Sequence, residues 1–167
     1  MFYSTELITP LGTVTLASDG DALCGLWFHG QKYFAASISG AMHQKDGLEI
    51  FRETKNWLER YFTGKRPKIR ELPLRPIGSE FRQNVWKILC EIPYGEVTTY
   101  GEIAQRIADE WGLESMSAQA VGGAVGHNPI SIIIPCHRVV GSDGNLTGYA
   151  GGIEKKRKLL EHEGAVL

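Results

Sequence analysis

Three short runs open the chain, "FYSTELITP", "GTVTLAS" and "ALCGLWFH", rich in β-branched and aromatic residues and broken by "PLG" and "SDGD". Runs of this kind between turn residues predict strands. The periodicity then changes. In "LEIFRETKNWLERYFT", residues 48–63, Phe51, Leu58, Tyr61 and Phe62 fall on one helical face, and Gly64 supplies a stop. Next, "GKRPKIRELPLRPIGS" carries three prolines and five basic residues. It predicts a non-helical connector and a boundary near residues 75–79. An N-terminal α/β domain, 1–75, is thereby divided from a mostly helical one, 79–167.

In the second part Ser79 is placed to cap "SEFRQNVWKILCEI", where Phe81, Val85, Ile88, Leu89 and Ile92 recur at helical spacing. "PYG" ends that helix. Thr99 and Glu102 form a T-x-x-E capping box for a helix to about Trp111. After "GLES", the stretch "SAQAVGGAVGHN" reads as a helix of small residues with Val121 and Val125 on one side. A last helix runs from about Ile153 to His162, with Gly164 as its stop. Two helices joined by a turn, the second made of small residues, suggest a helix-turn-helix. Gly122 and Gly123 each cost about 1 kcal/mol relative to Ala in mid-helix. The pair implies a close approach there, either by another helix or by a nucleic-acid backbone.

Composition sets bounds on this α+β chain of 167 residues: 43% hydrophobic and 22% charged residues are ordinary for a soluble globular protein. No apolar run approaches a membrane span. The opening segment has neither a basic n-region nor an apolar h-region, so no secretory signal is expected. Three widely spaced cysteines, Cys24, Cys90 and Cys136, make no disulfide framework and suit a reducing cytoplasm. Cys24 and Cys90 read as packing residues. The net charge of -1 does not advertise a nucleic-acid partner, and residues 79–167, with eight Lys/Arg against eleven Asp/Glu, are net -3. Two basic clusters, residues 65–75 and Lys155 to Lys158, read as solvated faces.

The chemistry concentrates in "IIIPCHRVV". Ile132, Ile133 and Ile134 between Pro129 and Pro135 predict a short buried strand. Pro135 cannot extend a ladder, so Cys136 would sit where the strand stops. A reactive cysteine needs thiolate character, and His137 and Arg138 are the nearest groups able to supply it. Adjacent strand residues face opposite ways, so His137 reaches the sulfur only if the chain turns, or through a water. A third group would orient the histidine, and Glu163 in "LLEHEG" is the carboxylate best placed. The residues alone leave both packing and nucleophilic readings of the Cys-His pair open.

"NPISIIIPCHRVVGSDGNLTGYAGG" closely resembles the active-site segment of the O-6-alkylguanine-DNA alkyltransferases. The resemblance extends through "SEFRQNVWKILCEIPYGEVTTYGEIA", "AQAVGGAVGHNP" and "KRKLLEHEG", and more loosely to "TPLGTVTLASDGDALCGLWF". It implies a small ribonuclease-H-like N-terminal domain followed by a helical domain with a winged-helix-like helix-turn-helix. It implies double-stranded DNA carrying alkylated bases as partner, a monomer, no membrane, no metal and no cofactor. By the same resemblance Cys136 would accept the alkyl group from O-6 of guanine, with O-4-alkylthymine left open as a second lesion. His137 would act as base through a water, oriented by Glu163, and Asn128 would hydrogen-bond in the hinge before Cys136. Tyr100 would give a proton to the leaving guanine. Tyr149 would lie against the flipped base, with Val139, Ser142, Ala150 and Gly151 around it. Gln119, Ala120, Gly122 and Gly123 would meet the minor groove. A lesion-binding relative that does not transfer the alkyl group is the alternative. Such relatives usually replace the cysteine, which is present here.

Three departures stand out. The family usually carries an arginine before "AVGGA", and this chain has Gln119. The link "ADEWGLESMS" is longer and more acidic than usual, and like charge repels phosphates. Ala150 stands where a serine is often found. Weaker duplex affinity is the expected result of the first two. Gln119→Arg is therefore expected to tighten binding to a lesion duplex in a fluorescence-anisotropy titration, and an unchanged affinity would count against that account.

Overall fold

Alternation along the opening residues builds a hairpin. Strand β1 (Phe2–Thr9) turns through Pro10 and Leu11 into β2 (Gly12–Ser18), with Thr9 opposite Gly12. Strand β3 (Leu23–Phe28) pairs antiparallel with β2, and the short β4 (Met42–Gln44) pairs parallel with the start of β1. The sheet order is β3-β2-β1-β4. Helix α1 (Glu49–Phe62) buries Phe51, Leu58 and Tyr61 as its periodicity predicts, and Trp57 with them. Gly64, at φ +90°, lets Lys65 N–H turn back to the Arg60 carbonyl. A computed structural model describes residues 1–166 of the chain.

β3 ends the sheet order, yet all six of its residues are buried. Its free edge is closed by two distant pieces of chain. Leu23 N–H donates to the Pro73 carbonyl and Arg75 N–H to the Leu23 carbonyl; Leu26 N–H donates to Pro129 and Ser131 N–H to Leu26. Proline fits both places because only its carbonyl is used. Residues 129–133 accordingly belong to the first compact unit, with residues 1–77; the second unit comprises 78–128 and 134–167. A single boundary near residues 75–79 does not anticipate that excursion.

The expected Ile132–Ile134 strand does not form. Ile130 alone bridges to Leu26, and the next residues turn. Ile132 adopts φ +70°, and Ile133 N–H folds back onto the Ser131 carbonyl at 2.8 Å. The isoleucines are still buried, at 1–2% exposure. Apolar character fixed their burial and left the backbone conformation open, since buried strand and buried turn share the same pattern.

In the second unit α2 (Glu80–Leu89) is capped by Ser79, α3 (Tyr100–Trp111) by Thr99, and α4 (Ala118–Gly126) by Ser117. The box at Thr99 is only half formed, because the Glu102 carboxylate accepts from the Thr98 hydroxyl at 2.8 Å. Thr98–Thr99 form a short strand, β5, parallel to β6 (Val139–Val140). Helix α5 (Ile153–His162) ends before Gly164 at φ +71°. Trp86 anchors α2 on α4 by donating Nε1–H to the Ala124 carbonyl at 2.8 Å.

Gly25 shows why a glycine interrupts an otherwise apolar strand. A Cβ there would lie 2.0 Å from the buried Trp27 ring. Gly25→Ala is therefore expected to cost about 1–3 kcal/mol through overpacking, read as a lower denaturant midpoint at unchanged slope.

Candidate active site

α4 ends in a C-cap at His127, and Asn128 follows. After the excursion through 129–133 the chain re-enters the second unit at Ile134. Asn128 ties the two ends of that excursion together, donating Nδ2–H to the Ile134 carbonyl at 2.8 Å. Pro135 then starts a 3₁₀ turn at Cys136–Arg138. This turn settles the geometric question raised by the Cys-His pair. At three residues per turn, consecutive side chains splay by about a third of a circle rather than to opposite faces. Cys136 and Arg138 are each 6% exposed and His137 is fully buried.

Glu163, at the C-cap of α5, meets the other two residues of the turn. Its Oε2 accepts from His137 Nε2 at 2.8 Å and from Arg138 Nη2 at 3.0 Å, while Oε1 accepts from Arg138 Nε at 2.8 Å. Burial alone would raise its pKa, but the hydrogen bonds and charges of His137 and Arg138 outweigh that and hold the carboxylate ionised well below its usual range. Burial in turn pushes His137 below its ordinary 6.5, against the pull of Glu163, so the ring is neutral. A neutral ring that donates Nε2–H to Glu163 carries its lone pair on Nδ1. That atom is buried with no protein hydrogen-bond partner among the described residues.

Burial raises the pKa of the Cys136 thiol; hydrogen bonds from Asn128 and Tyr149 and the charge of Lys156 offset part of the rise. At rest the group is a thiol and needs a base. Arg138 does not serve the sulfur as the sequence suggested. Its guanidinium is taken by Glu163 and by the Ile92 carbonyl at 2.6 Å. Tyr100 starts α3, and its pKa is raised by burial and by the nearby Cys136 charge, which keeps the phenol protonated. The Thr147 hydroxyl donates to it at 3.2 Å.

The structure thus gathers Cys136, His137, Glu163, Asn128, Tyr149 and Tyr100. Val139 is buried in β6, and Ser142 stands exposed in the loop 141–152, with Ala150 and Gly151 half-buried there. Gln119, Ala120 and Gly123 lie on the exposed face of α4. A Cβ at Gly123 would meet nothing within 4 Å, and one at Gly122 only the Tyr100 ring at 3.8 Å. Among the described residues no packing partner comes close enough to require glycine at either position. Lys156 was missed. Its 0% exposure contradicts the solvated face expected of residues 155–158. The signal lay in spacing, since Ile153, Lys156, Leu159, Leu160 and Glu163 share one helical face.

Known proteins share this arrangement of domains. A family model described as 6-O-methylguanine DNA methyltransferase, ribonuclease-like domain, matches residues 2–76, and its DNA binding domain counterpart matches residues 80–165. A methylated-DNA–protein-cysteine methyltransferase of Haemophilus influenzae is 43% identical over 161 residues, covering 96% of this chain and 86% of that protein. One of Methanosarcina mazei is 45% identical over 155 residues, covering 93% of this chain and 92% of its own. The crystal structure of the Mycobacterium tuberculosis O6-methylguanine methyltransferase matches at a TM-score of 0.82 and 42% identity, covering 98% of this chain and 93% of that one. A structure of the same organism's OGT in complex with DNA matches at 0.81 and 41%, covering 98% and 92%. With both domain models matched in chain order, and relatives this similar over nearly the whole length, this chain belongs to the 6-O-methylguanine DNA methyltransferase family.

Proposed function

We propose that this protein repairs DNA by moving an alkyl group from O-6 of guanine onto Cys136, once per molecule. The observation that carries this reading is the buried Cys136–His137–Glu163 arrangement, with a lone pair on His137 Nδ1 and no competing protein partner for it among the described residues. The thiol proton passes to Nδ1 through a water as the sulfur attacks the alkyl carbon. The new S–C bond forms as the C–O6 bond breaks, and the electron pair goes to the guanine. The Tyr100 phenol supplies the proton that the leaving base takes up. Glu163 stabilises the imidazolium that results. The product is an S-alkylcysteine, and nothing in the step restores the thiol.

Inside a duplex O-6 faces the partner base, so the nucleotide must leave the stack. The open face at Gly122 and Gly123 suits a close approach of α4 to the minor groove, with Gln119 and Ala120 at its N-terminal end. Tyr149, Ala150, Gly151, Val139 and Ser142 line the place of the extruded base. A monomer acting on alkylated duplex DNA in the cytoplasm fits this reading, as do three free cysteines. Among the described residues no helix is long and apolar enough to cross a membrane.

Intact-mass spectrometry after incubation with an O-6-methylguanine duplex is expected to show one added methyl per protein, saturating, and none with Cys136→Ser. Lesion binding without a mass change would instead identify a non-transferring relative. His137→Gln is expected to slow single-turnover transfer by about 10²-fold or more while leaving duplex affinity unchanged. The base works only when neutral, and burial holds its pKa below 6.5. The transfer rate should therefore stay level as pH falls through 6.5 and decline only at more acid pH. A decline centred at or above 6.5 would place the working imidazole in solvent.

A further inference from the structure

Lys156 is a fully buried lysine on α5. Among the described residues it makes no ion pair. Its ammonium donates to the Thr147 carbonyl at 2.6 Å and to the Gly148 carbonyl at 3.4 Å, both in the loop 141–152. Thr147 in turn donates to the Tyr100 hydroxyl. Removing an ammonium from water without a counter-ion is expensive, and two carbonyl dipoles offset only part of that cost. Loop tethering alone would not require a charge, since a neutral amide can donate to a carbonyl equally well.

We propose that Lys156 is a positioning residue for alkyl transfer: it clamps the 147–148 stretch that reaches Tyr100, and its ammonium becomes the counter-charge of Cys136 when the thiol ionises. The groups facing that sulfur leave this role to Lys156. Asn128 and Tyr149 approach it as neutral hydrogen-bonding groups, and Tyr100 stands near it as a neutral phenol. His137 is neutral at rest, and the Arg138 charge is spent on Glu163. Burial brings the Lys156 pKa down to about 8, opposed by the Cys136 charge. The ammonium therefore remains the prevailing form at neutral pH, and thiolate and ammonium stabilise each other.

The proposal rests on Cys136 being the acceptor of the transfer, and its test is independent of the lesion. Cys136 is alkylated with iodoacetamide at pH 7, where Lys156 carries its charge, and the rate is read by intact-mass spectrometry of the full chain, with Cys136→Ser as the control for Cys24 and Cys90. Lys156→Gln keeps the donors to the loop and deletes the charge. It is expected to lower the alkylation rate of Cys136 about tenfold, the loss of thiolate that one pH unit represents. The rate of methyl transfer at the same pH should fall by a similar factor with lesion-duplex affinity unchanged. An unchanged alkylation rate in folded Lys156→Gln overturns the proposal. If that variant does not fold, Lys156→Arg decides: a wild-type rate supports the charge role, and a rate lowered as far as expected for Gln overturns it. Failure of the wild type to take up methyl from the duplex would refute the transfer reading instead, whatever the alkylation shows.

Discussion

A carboxylate with no exposed side-chain surface must be paired or neutral, and Glu163 is paired by His137 and Arg138 together. The rest of the site depends on this one shared anion. Arg138 holds it ionised, and an ionised Glu163 fixes which nitrogen of His137 carries the proton. The open lone pair is then turned away from the carboxylate. Removal of the arginine would leave histidine and glutamate as an isolated buried pair, with the proton free to settle on either. The guanidinium reaches the Ile92 carbonyl as well, so the turn that follows α2 is joined to the same network.

The site is also economical in its use of main chain. Three consecutive residues, Cys136 to Arg138, contribute the thiol, the base and the cation that orients the base's partner. They can do so because a 3₁₀ turn spreads adjacent side chains in three directions. A strand there would have sent His137 to the face opposite both neighbours. The left-handed Ile132 and the Asn128–Ile134 hydrogen bond set the path into that turn.

Much of the fold was legible because short-range chemistry decided it. Ser79 and Thr99 cap their helices as their types and places predict, and the three opening strands follow their apolar runs. β4 escaped notice because "MHQ" has too few residues and too little apolar character to signal a strand. The isoleucine run misled because burial and backbone conformation are separate properties. Lys156 misled because a charge among three other basic residues looks solvated, and only its register with Leu159 and Leu160 says otherwise. Roles within the site came from family resemblance on top of residue chemistry; the proton inventory needed the distances.

The closure of the β3 edge has a consequence for how the chain comes to be folded. Strands β1 to β3 leave the ribosome early, yet one of the two segments that cover their edge lies more than a hundred residues later in sequence, at Pro129–Ser131. Until that stretch is synthesised, an apolar strand keeps part of its hydrogen-bonding edge open, which is the exposure that invites pairing with other chains. Contacts so distant in sequence form late and slowly. The first unit therefore finishes only after most of the second has been made, and the nascent chain spends that interval as its most aggregation-prone species.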